Sequence, residues 1–217
     1  VVLSGAIVGG AVSLTKQGAS VLTLSGANTF TGGVTVQGGA GSVLRIGDDT
    51  ALGTGTLTLN TAGVVVSSDS GTARTLGNGF TIGANVTLGN GTNNGALTFG
   101  GAGAITTAAT VTTDSAVTWN GVVSGTGNWT KAGTGELTLG GANTYTGTTT
   151  VSAGTLTLNG GAAIADAGAV TVTSPGSLKL GGSETIGSLA GTGGVDLQGN
   201  TLTIGGSSTT AYSGAMI

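Results

Sequence analysis

The sequence predicts an all-β chain wound as a parallel β-helix (β-solenoid) of roughly ten coils. Three observations predict it: a long internal repeat, a composition of turn formers and β-branched residues, and short alternating runs at a near-constant interval. The repeat is the strongest. Leu14 to Val36 reads LTKQGASVLTLSGANTFTGGVTV and Trp129 to Val151 reads WTKAGTGELTLGGANTYTGTTTV, at a constant offset of 115 residues. Repetition on this scale marks an array architecture rather than a conventional enzyme core.

Composition narrows the class. Charged residues are 6% of the 217-residue chain, against about 25% in an ordinary soluble domain. Aromatic residues are 3%, so neither a salt-bridged surface nor an aromatic-anchored core is expected. The 47 glycines, one Pro, abundant Thr, Val and Leu, and a mean hydropathy of +0.39 suit tight turns and strands. They do not suit disorder, which favours charge and Pro over branched apolar residues. No run approaches the roughly 18 unbroken apolar residues of a membrane-spanning helix, so no membrane span is expected in this segment.

The charge balance removes further classes. Five Lys and Arg against eight Asp and Glu give a net charge of −3 and a pI near 4.4, scattered singly. A nucleic-acid surface needs clustered basic residues to neutralise phosphates, so no such partner is expected. Absence of Cys removes disulfides, thiolate metal sites and Cys nucleophiles. Absence of His removes the commonest general base and the usual zinc ligand.

Apolar residues alternate with Thr in short runs bounded by Gly, Asn, Ser and Asp. The runs are Leu22 to Leu24, Val34 to Val36, Val43 to Ile46, Leu57 to Leu59, Val64 to Val66, Phe80 to Ile82 and Val86 to Leu88. They continue at Leu97 to Phe99, Val117 to Trp119, Leu137 to Leu139, Leu156 to Leu158, Val170 to Val172, Leu178 to Leu180 and Leu202 to Ile204. Period-two alternation gives strands with one face buried. Turns such as Gly89-Asn90-Gly91 and Asn93-Asn94-Gly95 supply positive φ angles.

Spacing separates a solenoid from a sandwich or barrel. Leu-x-Leu runs begin at Leu137, Leu156 and Leu178, with Val195-Asp196-Leu197 next, which suits coils of roughly twenty residues stacked about 4.8 Å apart. Leu137, Leu156 and Leu178 are expected on one wall, in a core of small residues. Residues 1–217 then form one continuous solenoid roughly 50 Å long. Its internal repeats lie at about 14–60 and 129–180, with a partial third unit at about 188–217.

LTLSGANTFTGG at Leu22 to Gly33 and LTLGGANTYTGT at Leu137 to Thr148, each after a Leu/Trp-Thr-Lys-x-Gly lead, resemble the passenger-associated repeat of bacterial autotransporters. SLAGTGGVDLQGNTLTIGG, Ser188 to Gly206, resembles the segment that often precedes that motif. These pieces cover about a third of the chain. The resemblance implies a right-handed parallel β-helix, exported through the outer membrane by a C-terminal barrel and displayed outside the cell. The chain has no starting Met, signal-peptide pattern or terminal barrel, so a fragment, a processed product or part of something longer is expected.

Candidate chemistry is sparse, and no catalytic, cofactor-binding or metal residue is assigned. A glycosidase generally needs two carboxylates about 5 to 9.5 Å apart. The adjacent Asp48-Asp49 is the only acidic cluster, and capping of backbone amides is the preferred reading. Asp69, Asp114, Asp166, Asp196, Glu136 and Glu184 stand alone and are expected mostly in solvated turns or facing outward. Gly193 to Leu197 faintly resembles a calcium β-roll nonapeptide but lacks its third Gly and occurs once. No phosphate-loop pattern is present, and Lys16 and Lys131 are expected to snorkel over the rod surface.

Asn28 and Asn143 share a repeat position before Thr and an aromatic, Phe30 or Tyr145. The expected role is a turn or an amide ladder between coils, with the ring covering the tube edge; a repeated ligand contact is the alternative. Asn85-Val86-Thr87, Asn90-Gly91-Thr92 and Asn128-Trp129-Thr130 match the N-glycosylation pattern, which chance produces readily in a chain rich in Asn and Thr. Thr148 to Thr150, Thr155 to Thr157 and Thr171 to Thr173 could align hydroxyls as ice-binding solenoids do, though Thr is also simply a good outward strand residue.

The expected function is an extracellular structural or adhesive β-solenoid: a surface-displayed bacterial passenger segment or filament subunit without catalysis. Alternatives are a carbohydrate-active β-helix enzyme and an ice- or glycan-binding solenoid. Both termini are apolar and uncapped. Identical copies or further repeats stacked end to end, and a host or neighbouring-cell surface, are therefore the expected partners.

Overall fold

The computed structural model describes residues 1–217, all of it strands, turns and loops, with no helix. Strands pair in parallel, each with its counterpart one coil away, so the chain winds continuously round a tube. Wall I carries ten strands, from Val2–Leu3 to Ser188–Gly191. Wall II carries seven, from Arg74–Leu76 to Gly194–Asp196. Wall III carries six, from Leu14–Lys16 to Val123–Ser124, and a further pair, Glu184–Ile186 with Leu202–Ile204, follows the same chain order. The ten strands of wall I give the expected ten coils.

Register fixes the stacking. Val21 pairs with Val43, Val86 with Val111 and Trp129 with Thr149, so coils differ in length while their walls stay aligned. On wall II, Leu137, Leu156 and Leu178 stack in one file, extended by Val117 and Val195. All three leucines are fully buried. Alternation along each strand places these residues in one apolar cluster of 42 side chains that runs through the rod.

The expectation of a core nearly free of aromatics needs correction. Phe80, Phe99, Trp119, Trp129 and Tyr145 form a contiguous buried file, with linked ring centroids 5.1 to 6.1 Å apart. They are few but concentrated. Gly103 makes room for them, because a Cβ there would overlap the Phe80 ring one coil away.

The strands are interrupted at two places. Wall II has none in the first three coils, where Ile7, Asn28 to Phe30 and Ala51 to Leu52 stand. Wall III has none where Asn143 to Tyr145 and Ala163 to Ile164 stand. Buried backbone groups need partners wherever pairing lapses, and these gaps contain the repeat's asparagines.

Candidate functional site

The two repeat copies are equivalent devices on different walls. In the first copy, Thr-Lys lies on wall III, Leu-Thr-Leu on wall I and the Asn-Thr-Phe step on the bare face of wall II. In the second, the same pieces fall on wall I, wall II and the bare face of wall III. The offset of 115 residues is thus five coils plus one wall.

Asn28 and Asn143 replace missing strand pairing. Ile7 N–H donates to Asn28 Oδ1 at 2.7 Å, and Asn28 Nδ2 donates to the Ala51 carbonyl at 2.6 Å. Val123 N–H donates to Asn143 Oδ1 at 2.7 Å, and Asn143 Nδ2 donates to the Ala163 carbonyl at 2.7 Å. Each amide links the coil before to the coil after, through main chain rather than through an Asn–Asn ladder. Phe30 and Tyr145 do not cover the tube edge. They are buried in the core, where desolvation pushes the Tyr145 phenol up to about 12.

Lys16 and Lys131 overturn the snorkelling expectation. They occupy inward positions and are only 4% and 0% exposed. Lys16 Nζ donates to the carbonyls of Gln17 and Gly18 and to Ser42 Oγ, at 2.6 to 3.1 Å. Lys131 Nζ donates to the carbonyls of Ala132, Gly133 and Ala153, at 2.9 to 3.1 Å. Three donors meet three acceptors, so each ammonium closes a corner between two coils. Burial lowers both pKa values, that of Lys131 to about 8 against partial compensation from Asp114. A signal was available in the sequence: Lys131 lies two residues after Trp129, on the same strand face.

Glu184 is a second correction. It is 2% exposed, and its carboxylate accepts N–H bonds from Ala163 at 3.3 Å and Ile164 at 2.8 Å. It thereby continues the stitching begun by Asn143. Desolvation raises its pKa, the two N–H bonds oppose this, and Asp166 raises it further. The other acids are peripheral. Asp48 accepts from Thr50 N–H and hydroxyl, which hold its pKa down, and Asp49 accepts from Thr75 N–H one coil away. Asp69 pairs with Arg74 at 3.0 Å. Asp196 accepts from Gln198, and no group of three or more His, Cys, Asp or Glu side chains converges.

The outside of the rod carries single files of threonine. Thr75, Thr98, Thr118, Thr138 and Thr157 align on wall II and end at Lys179. Thr110, Thr130, Thr150 and Thr171 align on wall I. A second rank does not form on wall II, since Thr155 aligns with Glu136 and Ser177. Thr149, in the middle of its run, points inward and bonds Tyr145.

One shallow groove of about 220 Å³ lies on wall I, lined by residues that include Asn85, Ala108, Thr110, Asn128, Thr130 and Thr148. Asn85 Oδ1 accepts from Thr110 N–H at 2.7 Å, and Asn128 Oδ1 accepts from Thr148 N–H at 2.9 Å. No carboxylate lines the groove.

The architecture and its stitching define a class, the parallel β-solenoid whose coils are joined by inward-facing Asn and Lys side chains. The family model described as passenger-associated-transport-repeat matches residues 14–40 and 130–158, the same two copies. A particular relative is the adhesin BmaC autotransporter of Brucella suis biovar 1 (strain 1330), 42% identical over 94 residues. That match covers 42% of this chain and 3% of the adhesin, so the chain spans a small part of the relative's length. No solved structure matches the chain.

Proposed function

We propose that this chain is a structural segment of a surface-displayed adhesive passenger in a bacterial autotransporter, with no catalysis of its own. The observation that carries this reading is where the repeat's distinctive residues go. Lys16, Lys131, Asn28 and Asn143 all turn inward and join coils, which leaves files of Thr and scattered single charges on the outer face. A carbohydrate-active enzyme finds no support in the groove, which offers no acid–base pair. The adhesin similarity supports an extracellular or outer-membrane surface location facing a host or neighbouring cell.

In this reading further solenoid coils, covalent or from identical copies, stack on the terminal coils, whose Val1, Val2 and Ile217 side chains are exposed. Analytical ultracentrifugation and electron microscopy of the segment test that part; a stable monomer at high concentration would refute self-stacking. The functional test is replacement of residues 1–217 within the parent passenger by an unrelated solenoid of equal coil number. Retained adhesion to host-cell monolayers supports a structural rod, and lost adhesion despite intact display would assign the binding surface to this segment instead.

A further inference from the structure

We propose that Asn85 and Asn128 are acceptors for N-linked sugar, attached through Nδ2 and lying along the groove on wall I. Three of the chain's asparagines head an Asn-x-Thr triplet: Asn85, Asn90 and Asn128. All three use the side chain in the same way. Oδ1 accepts backbone N–H bonds, from Thr110, from Thr92 and Asn93, and from Thr148 respectively, while Nδ2 has no partner within the chain. The asparagines buried between coils differ at Nδ2, although Asn28 and Asn143 also accept at Oδ1. Asn28, Asn78 and Asn143 all donate through Nδ2, and none heads such a triplet.

The geometry suits a glycosyl acceptor for a chemical reason. A hydrogen bond to Oδ1 polarises the amide and eases loss of an Nδ2 proton during attack. The N-glycosyl amide that results keeps Oδ1 free to accept, so the bonds from Thr110 and Thr148 that link adjacent coils survive the modification. Asn85 and Asn128 are exposed, and Thr87 and Thr130 lie two residues on. Asn85 stands opposite Thr110 and Asn128 opposite Ala108, so the two acceptors are two coils and two residues apart, roughly 12 Å from strand spacing and rise. Ala108 leaves the floor between them shallow, and Thr hydroxyls line it. Sugar hydroxyls and ring oxygens find donors and acceptors there with no charge to desolvate.

The step balances with a sugar activated as a glycosyl diphosphate. Nδ2 forms the bond to the anomeric carbon, the bond from that carbon to the phosphate oxygen breaks, the diphosphate leaves with its electron pair, and one amide proton passes to a transferase base. The donor is either a soluble sugar nucleotide or a lipid-linked sugar diphosphate. The inference takes from the proposed function only that the chain is displayed on a bacterial surface, and is separable from adhesion, which the solenoid replacement reads independently.

The experiment is glycopeptide mass spectrometry on the parent passenger recovered from the surface of its own bacterium. Sugar is expected on Asn85 and Asn128. Thr87→Ala or Thr130→Ala should abolish it at the matching site only, and Thr87→Ser should restore it. That pattern separates loss of a recognition hydroxyl from a folding defect. Unmodified Asn85 and Asn128 in the surface-displayed chain would overturn the proposal, as would sugar confined to Asn90, which lies outside the groove. A parent chain blocked from export tells the donors apart: sugar there indicates a soluble nucleotide donor, sugar only after export a lipid-linked one, and both support the acceptor assignment.

Discussion

The two repeat copies share their stitching but not their surroundings. The first lies near one end of the rod, where Ile7, the partner of Asn28, is only half-buried and Val12 is exposed. The second lies mid-rod against the aromatic file, and Val123, the partner of Asn143, is fully buried. The lysines differ similarly. Lys16 takes a side-chain hydroxyl as its third acceptor, whereas Lys131 takes a main-chain carbonyl from the next coil. The difference teaches that the repeat encodes a local device, while coil position sets how much stability the device contributes.

The largest effect should come from breaking the core beside the second copy. Leu156 stacks directly on Leu137 and is fully buried, so Leu156→Asp buries an unpaired charge at a cost of several kcal/mol. Cooperative thermal unfolding followed by circular dichroism should be lost. Leu22, the first copy's counterpart of Leu137, is 9% exposed, and Leu22→Asp should be milder. Equal losses would contradict the end-versus-middle contrast.

Next in size are the bridging amides. Asn143→Ala leaves the Val123 N–H and the Ala163 carbonyl without partners, and denaturant melts should show a loss of roughly 2–4 kcal/mol. Asn28→Ala should cost less, because water can reach Ile7 more easily. A larger loss at Asn28 would reverse the ranking.

The lysines give a smaller, pH-dependent signal. Lys131 has a folded pKa of about 8 against its ordinary 10.5, so between those values the unfolded chain binds more protons than the folded one. Stability should therefore rise as pH increases from about 8 to 10.5, and remain reduced below that window. Lys131→Met should flatten the rise in urea midpoints while lowering stability through three lost donors. If Lys16→Met flattened the curve as much as Lys131→Met, the two corners would be equivalent after all.

Glu184 should give the smallest change. Its folded pKa is raised, so its contribution to stability falls as pH rises from the ordinary carboxylate range through the folded value. Glu184→Gln should remove that fall and keep one acceptor oxygen for Ala163 or Ile164. Unfolding midpoints measured across the acidic range check it, and an unchanged slope would show that Glu184 does not titrate differently on folding.

The coil and the in–out pattern are legible from the residues without the fold. Alternation at Leu137, Leu156 and Leu178 placed each leucine inside, because period two leaves a strand residue only two faces. The internal repeat likewise announced an array, and capping by Asp48 and Asp49 was legible from adjacent acids in a turn. Strands without that alternation were missed, such as Gly103–Ile105 and Ser188–Gly191, because backbone pairing with neighbouring coils defines them.

Tertiary structure alone decided the rest. Which wall each copy occupies depends on the summed lengths of the intervening coils, and three interchangeable walls leave no local mark of the choice. Period two put Lys131 on the inward face with Trp129, but where its ammonium and the Glu184 carboxylate end was undetermined. A long polar side chain on an apolar face reads as snorkelling until neighbouring coils present carbonyls or N–H groups within reach, and those groups come from residues about twenty positions away.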